Sequence, residues 1–77
     1  MPAPVNAFKA GLASNRTLLG TWLMTGSTQA AEGMGHAGYD FLVVDTEHVP
    51  IDLGQTFQLL QAVGNTPASP VVRLPWN

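Results

Sequence analysis

The chain has 77 residues, three Lys or Arg against five Asp or Glu, a formal net charge of −2 and no cysteine. That is room for one small domain, with too few and too scattered cations (Lys9, Arg16, Arg73) for a nucleic-acid patch, and no thiol for a disulfide, a thiolate zinc site or a cysteine nucleophile. No apolar run approaches the roughly 18–20 residues of a membrane span, and no basic segment followed by an apolar one opens the chain, so the expected setting is cytoplasmic, with no membrane partner.

In chain order, residues 5–13 read as a weak helix, with Val5, Phe8 and Leu12 at i, i+3 and i+7. Asn15 and Arg16 read as a turn. Residues 20–25 form a short strand built around Thr21, Trp22, Leu23 and Met24. A second helix starts at Gly26-Ser27-Thr28, with Ser27 or Thr28 as N-cap. Its apolar stripe is Ala30, Met34 and Ala37, and Gly38 is its stop. Phe41-Leu42-Val43-Val44 is continuous and apolar, the pattern of a strand covered on both faces. Asp52-Leu53-Gly54-Gln55 has capping-box spacing. Leu53, Phe57, Leu60 and Val63 then make the stripe of a third helix, stopped at Gly64-Asn65. Pro67 and Pro70 mark a loop, and Val71-Val72-Arg73-Leu74 is a third strand, ended by Pro75.

Strands alternating with helices predict the α/β class with a parallel sheet. Charged residues are only 10% of the chain, against about 25% in ordinary domains. A small domain needs more charge, not less, because so much of it is surface. Three parallel strands also leave two open edges. The chain therefore reads as the first three or so βα units of a (β/α)8 TIM barrel, a fold of about 250 residues. On that reading residues 1–77 are the N-terminal part of one incomplete barrel domain, and the segment alone is not expected to fold cooperatively. The alternative is a small non-enzymatic α/β interaction module whose open edges pair with a partner.

In parallel α/β folds the chemistry gathers at the C-terminal ends of the strands. Two places qualify: Asp45-Thr46-Glu47-His48 after the second strand, and Arg73 with Pro75-Trp76-Asn77 at the third. Alternation puts Phe41, Val43 and Asp45 on one face, and Val71 with Arg73 on one face. Whether Trp22 and Met24 or Leu23 and Thr25 of the first strand turn inward is open. His48 follows Asp45 by three residues. A carboxylate bonded to one ring nitrogen would raise the basicity of the other and make His48 a general base. The plainer reading is a solvated His48 and Glu47 beside a turn capped by Asp45. Arg73 stands in an otherwise apolar strand, and its planar fork suits a carboxylate or an oxo acid. The plainer reading there is an edge-strand arginine facing water. Trp76 either lines a pocket or packs under a loop.

Residues 33–38, Gly-Met-Gly-His-Ala-Gly, match G-x-G-x-x-G literally. A dinucleotide fingerprint follows a strand and opens a helix. This one closes a helix and precedes a strand, so His36 and the glycines read as structural. Glu32 reads as a solvated helix face.

The ordered set Gly20-Thr21-Trp22-Leu23, Ala37-Gly38-Tyr39-Asp40-Phe41, Asp45-Thr46-Glu47-His48 and Pro70-Val71-Val72-Arg73 with Pro75-Trp76-Asn77 resembles the HpcH/HpaI aldolase family. The resemblance implies a (β/α)8 barrel assembled as a homohexamer. It implies a class II aldolase that cleaves 4-hydroxy-2-oxo acids to pyruvate and an aldehyde with a divalent cation such as Mg2+ or Mn2+. It matches His48 to the catalytic base, Asp45 to its supporting carboxylate and Arg73 to the group that binds the oxo acid and steadies the enolate. Trp22 matches a position near the substrate, and Glu47 one in the outer shell of the metal. The direct metal ligands implied by the resemblance lie on later strands, so none is assigned here and the segment alone is expected to be inactive.

Overall fold

A computed structural model describes residues 5–74. The order of elements is α1 (Ala7–Ala13), β1 (Gly20–Leu23), α2 (Thr28–Gly35), β2 (Phe41–Asp45), α3 (Leu53–Gly64) and β3 (Ser69–Arg73). The strands form one parallel sheet in the order β1-β2-β3. This is the expected α/β arrangement, three strands alternating with helices as in successive units of a TIM barrel. The calls on Pro75 and Trp76 lie outside the described residues.

Each helix starts where a side chain can take up an orphan N–H. Asn6 accepts from the Lys9 N–H at 3.1 Å and Ser27 from that of Ala30 at 3.2 Å. At α3 the capping box is complete. The Asp52 carboxylate accepts from the Gln55 N–H at 2.7 Å, and the Gln55 side chain accepts from the Asp52 N–H at 3.0 Å. Asn15 (φ 64°) and Gly38 (φ 107°) take the left-handed turns after α1 and α2, one a residue that tolerates this region and the other one that favours it. Gly35 is needed for a different reason. A Cβ there would run into the Thr66 side chain, so α2 could not lie as close to the turn after α3.

Both helices α2 and α3 cover one face of the sheet. Leu23, Leu42 and Val44 from the strands close on Ala31 of α2 and on Leu59 and Val63 of α3. Leu23, Leu42, Val44, Leu59 and Val63 are each at most 1% exposed. Burial of a side chain of this size contributes about 1.5–3 kcal/mol. The opposite face carries Phe41, Val43 and Asp45, in alternation with the core residues. At its N-terminal end Phe8 of α1 meets Phe41 edge to face, ring centres 4.8 Å apart. Below that, Asp40 ties the approach to β1 to the start of β2. Its carboxylate accepts the Leu19 N–H at 2.9 Å and pairs with Arg16 at 3.3 Å, while its own N–H donates to the Leu19 carbonyl. The Leu19 N–H, ahead of Arg16, holds the Asp40 carboxyl below its ordinary range.

Several details differ from the sequence reading. β1 stops at Leu23 rather than at residue 25, and β2 extends through Asp45. β3 begins at Ser69 and takes in Pro70. The Ser69 N–H donates to the Asp40 carbonyl, so alternation turns position 70 to the open edge, where a missing N–H costs no ladder bond. The helix stripes are rotated. α3 buries Thr56, Leu59 and Val63, and leaves Leu53 86% and Phe57 61% exposed. α2 buries Ala31 and Gly35 rather than Ala30 and Ala37, and α1 buries Gly11 while Val5 and Leu12 face out.

Among the described residues the outer edges of β1 and β3 have no strand partner. Leu74 and Leu53 border an open cleft of about 220 Å³ together with Ile51, Thr56 and Val72. This much uncovered apolar surface and edge leaves the isolated segment short of a closed core. Urea titration of the 77-residue segment by itself is expected to give a broad, shallow change in ellipticity. One sharp transition of a monomer would contradict this.

Candidate active site

The site is built by strand register. Asp45, the last residue of β2, pairs with Arg73, the last of β3. Paired residues of a parallel sheet lean to the same side, so both side chains rise on the face opposite α2 and α3. Trp22 pairs with Val43, and Val43 with Val71. The open question about β1 is thereby answered: Trp22, not Leu23, shares the face of Asp45 and Arg73, one step below them. It is 46% exposed there.

Asp45 is buried, at 2% exposure, yet bears a charge. Its Oδ1 accepts two backbone N–H bonds, from Glu47 at 2.9 Å and His48 at 3.0 Å. Its Oδ2 lies 3.8 Å from Arg73 Nη1. These partners offset the cost of burying the carboxylate. The His48 N–H is the largest influence lowering its pKa, working against desolvation; the Glu47 N–H and the charges of Arg73 and His48 add to it. The tight turn that results throws residues 47 and 48 back over the strand end. Thr46 completes the clamp, since its N–H and its hydroxyl both donate to the Arg73 carbonyl. That carbonyl bond fixes the end of β3 against the end of β2.

Glu47 stands at the centre. Its Oε1 is 3.0 Å from Arg73 Nη2 and 3.0 Å from His48 Nε2. The imidazole and the guanidinium thus share one carboxylate oxygen and one end of the sheet. The carboxylate bonded to the ring is therefore Glu47 and not Asp45. The expected Asp45–ring bond is replaced by the bond from Asp45 to the His48 backbone, because an Asp side chain three residues back is too short to pass the turn that it caps. His48 and Arg73 remain accessible, with side chains 60% and 44% exposed. His36 lies at the end of α2 and takes no part, nor does the G-x-G-x-x-G string, which closes that helix. Sequence reasoning did not single out Thr46; a hydroxyl one residue past a strand end is a weak signal.

Among the described residues no three His, Asp or Glu side chains are placed to hold a metal ion. Asp45 and Glu47 direct oxygens to N–H groups and to cations of the chain itself. The residues described do not by themselves fit the divalent cation that the resemblance implies.

A buried carboxylate on two backbone N–H donors, a guanidinium on the next strand and an imidazole beside them thus meet at the C-terminal end of the parallel sheet. No family model matches the chain. The chain is 45% identical over 75 residues to a hydroxypyruvate/pyruvate aldolase of Agrobacterium fabrum, covering 97% of itself and 28% of that protein. It is 51% identical over 59 residues to a 2-dehydro-3,6-dideoxy-6-sulfogluconate aldolase of Pseudomonas putida, covering 77% of itself and 23% of that protein. A crystal structure of an HpcH/HpaI aldolase/citrate lyase family protein from Burkholderia cenocepacia superposes with a TM-score of 0.83 at 40% identity, over 92% of this chain and 29% of that one. Over the stretch that it covers, the chain is similar to members of the HpcH/HpaI aldolase family. It spans less than a third of the length of these relatives.

The lowered pKa of Asp45 has a defined sign. Its contribution to stability is fully present above the unfolded carboxylate range and is lost as pH falls through the lower folded value. Carbon-detected NMR titration of the complete polypeptide carrying this segment is expected to find the Asp45 carboxyl ionised below pH 3.8. Asp45→Asn should remove that part of the acid dependence and leave stability at neutral pH lower.

Proposed function

We propose that residues 1–77 are the N-terminal part of a single TIM-barrel aldolase domain, and that the complete protein is a carbon–carbon lyase. Its substrates are 4-hydroxy-2-oxo acids, of the 2-keto-3-deoxy sugar acid or hydroxy-oxo-dioate kind, cleaved reversibly to pyruvate and an aldehyde. The observation that carries this reading is the junction of His48 and Arg73 through Glu47 at the C-terminal end of the sheet, in a chain whose curated relatives are aldolases.

The side chains divide the work. Arg73 grips the substrate carboxylate and faces the oxo group, where its planar donors meet charge as it develops. His48 accepts the proton of the 4-hydroxyl, directly or through one water. The hydroxyl oxygen becomes the aldehyde carbonyl as the bond between C3 and C4 breaks. The electron pair stays on C3 and spreads onto the 2-oxo oxygen as an enolate. Return of the proton to C3 gives pyruvate. Asp45 holds the backbone of His48 in place, and Trp22 walls the site from β1. The resemblance implies a divalent cation such as Mg2+ or Mn2+, which would supply Lewis-acid charge stabilisation and would be held by residues other than these. Glu47 in its outer shell belongs to the same resemblance, as do a homohexamer and a cytoplasmic setting. The open sheet edges favour the other reading, an interaction module, only if no further βα units follow.

Sequencing beyond codon 77 is expected to find an open frame encoding such units; a stop codon there would favour the module. The complete polypeptide, supplied with Mg2+ or Mn2+, is expected to release pyruvate from a 4-hydroxy-2-oxo acid, followed by reduction with lactate dehydrogenase. His48→Ala should lower kcat by about 10²–10⁴-fold, the usual worth of a positioned base. An unchanged rate would remove His48 from that role.

A further inference from the structure

A cation that meets charge only as it develops must be held accurately, since reorganising it during the reaction costs rate. Arg73 has a long side chain, 44% exposed, with the Asp45 carboxylate 3.8 Å from Nη1, beyond hydrogen-bonding distance. The side chain hangs from the last residue of β3 and inherits any movement of that backbone. The backbone is held from the other side of the sheet. Thr46 follows Asp45, so alternation turns it toward the helices, where it lines the open cleft with Ile51, Thr56 and Val72. From there its N–H donates to the Arg73 carbonyl at 3.1 Å, and its hydroxyl donates to the same oxygen at 2.5 Å. The first bond continues the strand ladder, and any residue but proline supplies it. The second takes the remaining lone pair of the carbonyl and needs a hydroxyl one carbon from the backbone, as in Thr or Ser.

We propose that the Thr46 hydroxyl is a positioning group for Arg73, holding its peptide so that the guanidinium stays over the end of the sheet beside Asp45. This rests on the proposed function for the reaction in which the placement is read. The hydroxyl lies across the sheet from the guanidinium and acts on it through the Arg73 backbone. The branched Cβ of Thr restricts its rotamers, so the donor is held toward the carbonyl at little entropic cost. Without the hydroxyl the end of β3 keeps a single bond to Thr46, and the guanidinium sweeps a wider arc. Charge stabilisation in the transition state then suffers more than ground-state binding, so the loss falls on kcat rather than on KM.

The test compares the complete polypeptide with Thr46→Val, Thr46→Ala and Thr46→Ser. Valine keeps the branch and the volume and loses the hydroxyl. Alanine loses both, and is read where the extra valine methyl does not seat. Serine keeps the hydroxyl. The probe is 4-hydroxy-2-oxopentanoate with Mg2+ supplied, its cleavage to pyruvate and acetaldehyde followed through pyruvate. Thr46→Val is expected to lower kcat about three- to tenfold, the scale of one neutral hydrogen bond, with KM within about twofold and Thr46→Ser restoring most of the rate. In the metal-free protein the NMR signal of the Arg73 Nε–H is expected to shift or broaden in the valine and alanine variants and to return in the serine one. An unchanged kcat in both variants that lack the hydroxyl, or an equal loss in Thr46→Ser, overturns the proposal. If the unaltered protein has no lyase activity, the aldolase reading falls by itself and the NMR signal decides. A signal moved in valine and alanine but not in serine upholds the anchor, and any other pattern overturns it.

Discussion

Register is the constraint on which the site depends. Asp45 can serve Arg73 only because parallel pairing sets the last residue of β2 opposite the last residue of β3. A slip of one residue would turn Arg73 into the apolar layer under α3 and leave Asp45 buried without its cation. Two features hold the register. One is the core itself, since Leu42 and Val44 must face Leu59 and Val63. The other is Thr46, whose N–H and hydroxyl both bond the Arg73 carbonyl at the point where the strands end.

The two faces of the sheet have separate tasks. One is closed by helices and supplies the burial that orders the strands. The other carries Trp22, Val43, Val71 and then Asp45 with Arg73. Its aromatic contact, Phe8 on Phe41, is at the N-terminal end of the strands, away from the charges. Asp40 and Arg16 form a second polar cluster at that same N-terminal end. Its partners are the backbone of Leu19 and the chain entering β1, so it fastens the fold. Similar residue types thus serve stability at one end of β2 and present accessible cation and imidazole groups at the other.

What was legible in the sequence follows the physics of each element. β2 was plain because four consecutive apolar residues admit little else, and α3 began where Asp52 and Gln55 can cap each other. The helix faces were misread for a common reason. Leu60 and Val63 of the expected stripe do meet the core, but Leu53 and Phe57, which the same apolar spacing favoured, face out. The sheet, however, selects the residues that fit against Leu42 and Val44, and Thr56 can be buried because its hydroxyl donates to the Asp52 carbonyl. Leu53 and Phe57 stay exposed on the far side of the helix. Pro70 misled in the opposite direction: it reads as a loop until the edge it faces is known.

At the site the residue types were readable and their pairing was not. A charged residue ending an apolar strand marks Asp45 and Arg73 as soon as strands are recognised. The string Asp-Thr-Glu-His then suggests that the first carboxylate meets the imidazole. Chain geometry decides otherwise. An Asp at a strand end finds the N–H groups of residues two and three positions on before it can reach a side chain beyond them. Once it has capped that turn, the backbone carries Glu47 and His48 side by side, and the longer carboxylate reaches the ring and the guanidinium together. The short acid builds the turn and the long one stands in the opening; exchanging the two would leave the backbone donors unmet and the cation without its near partner.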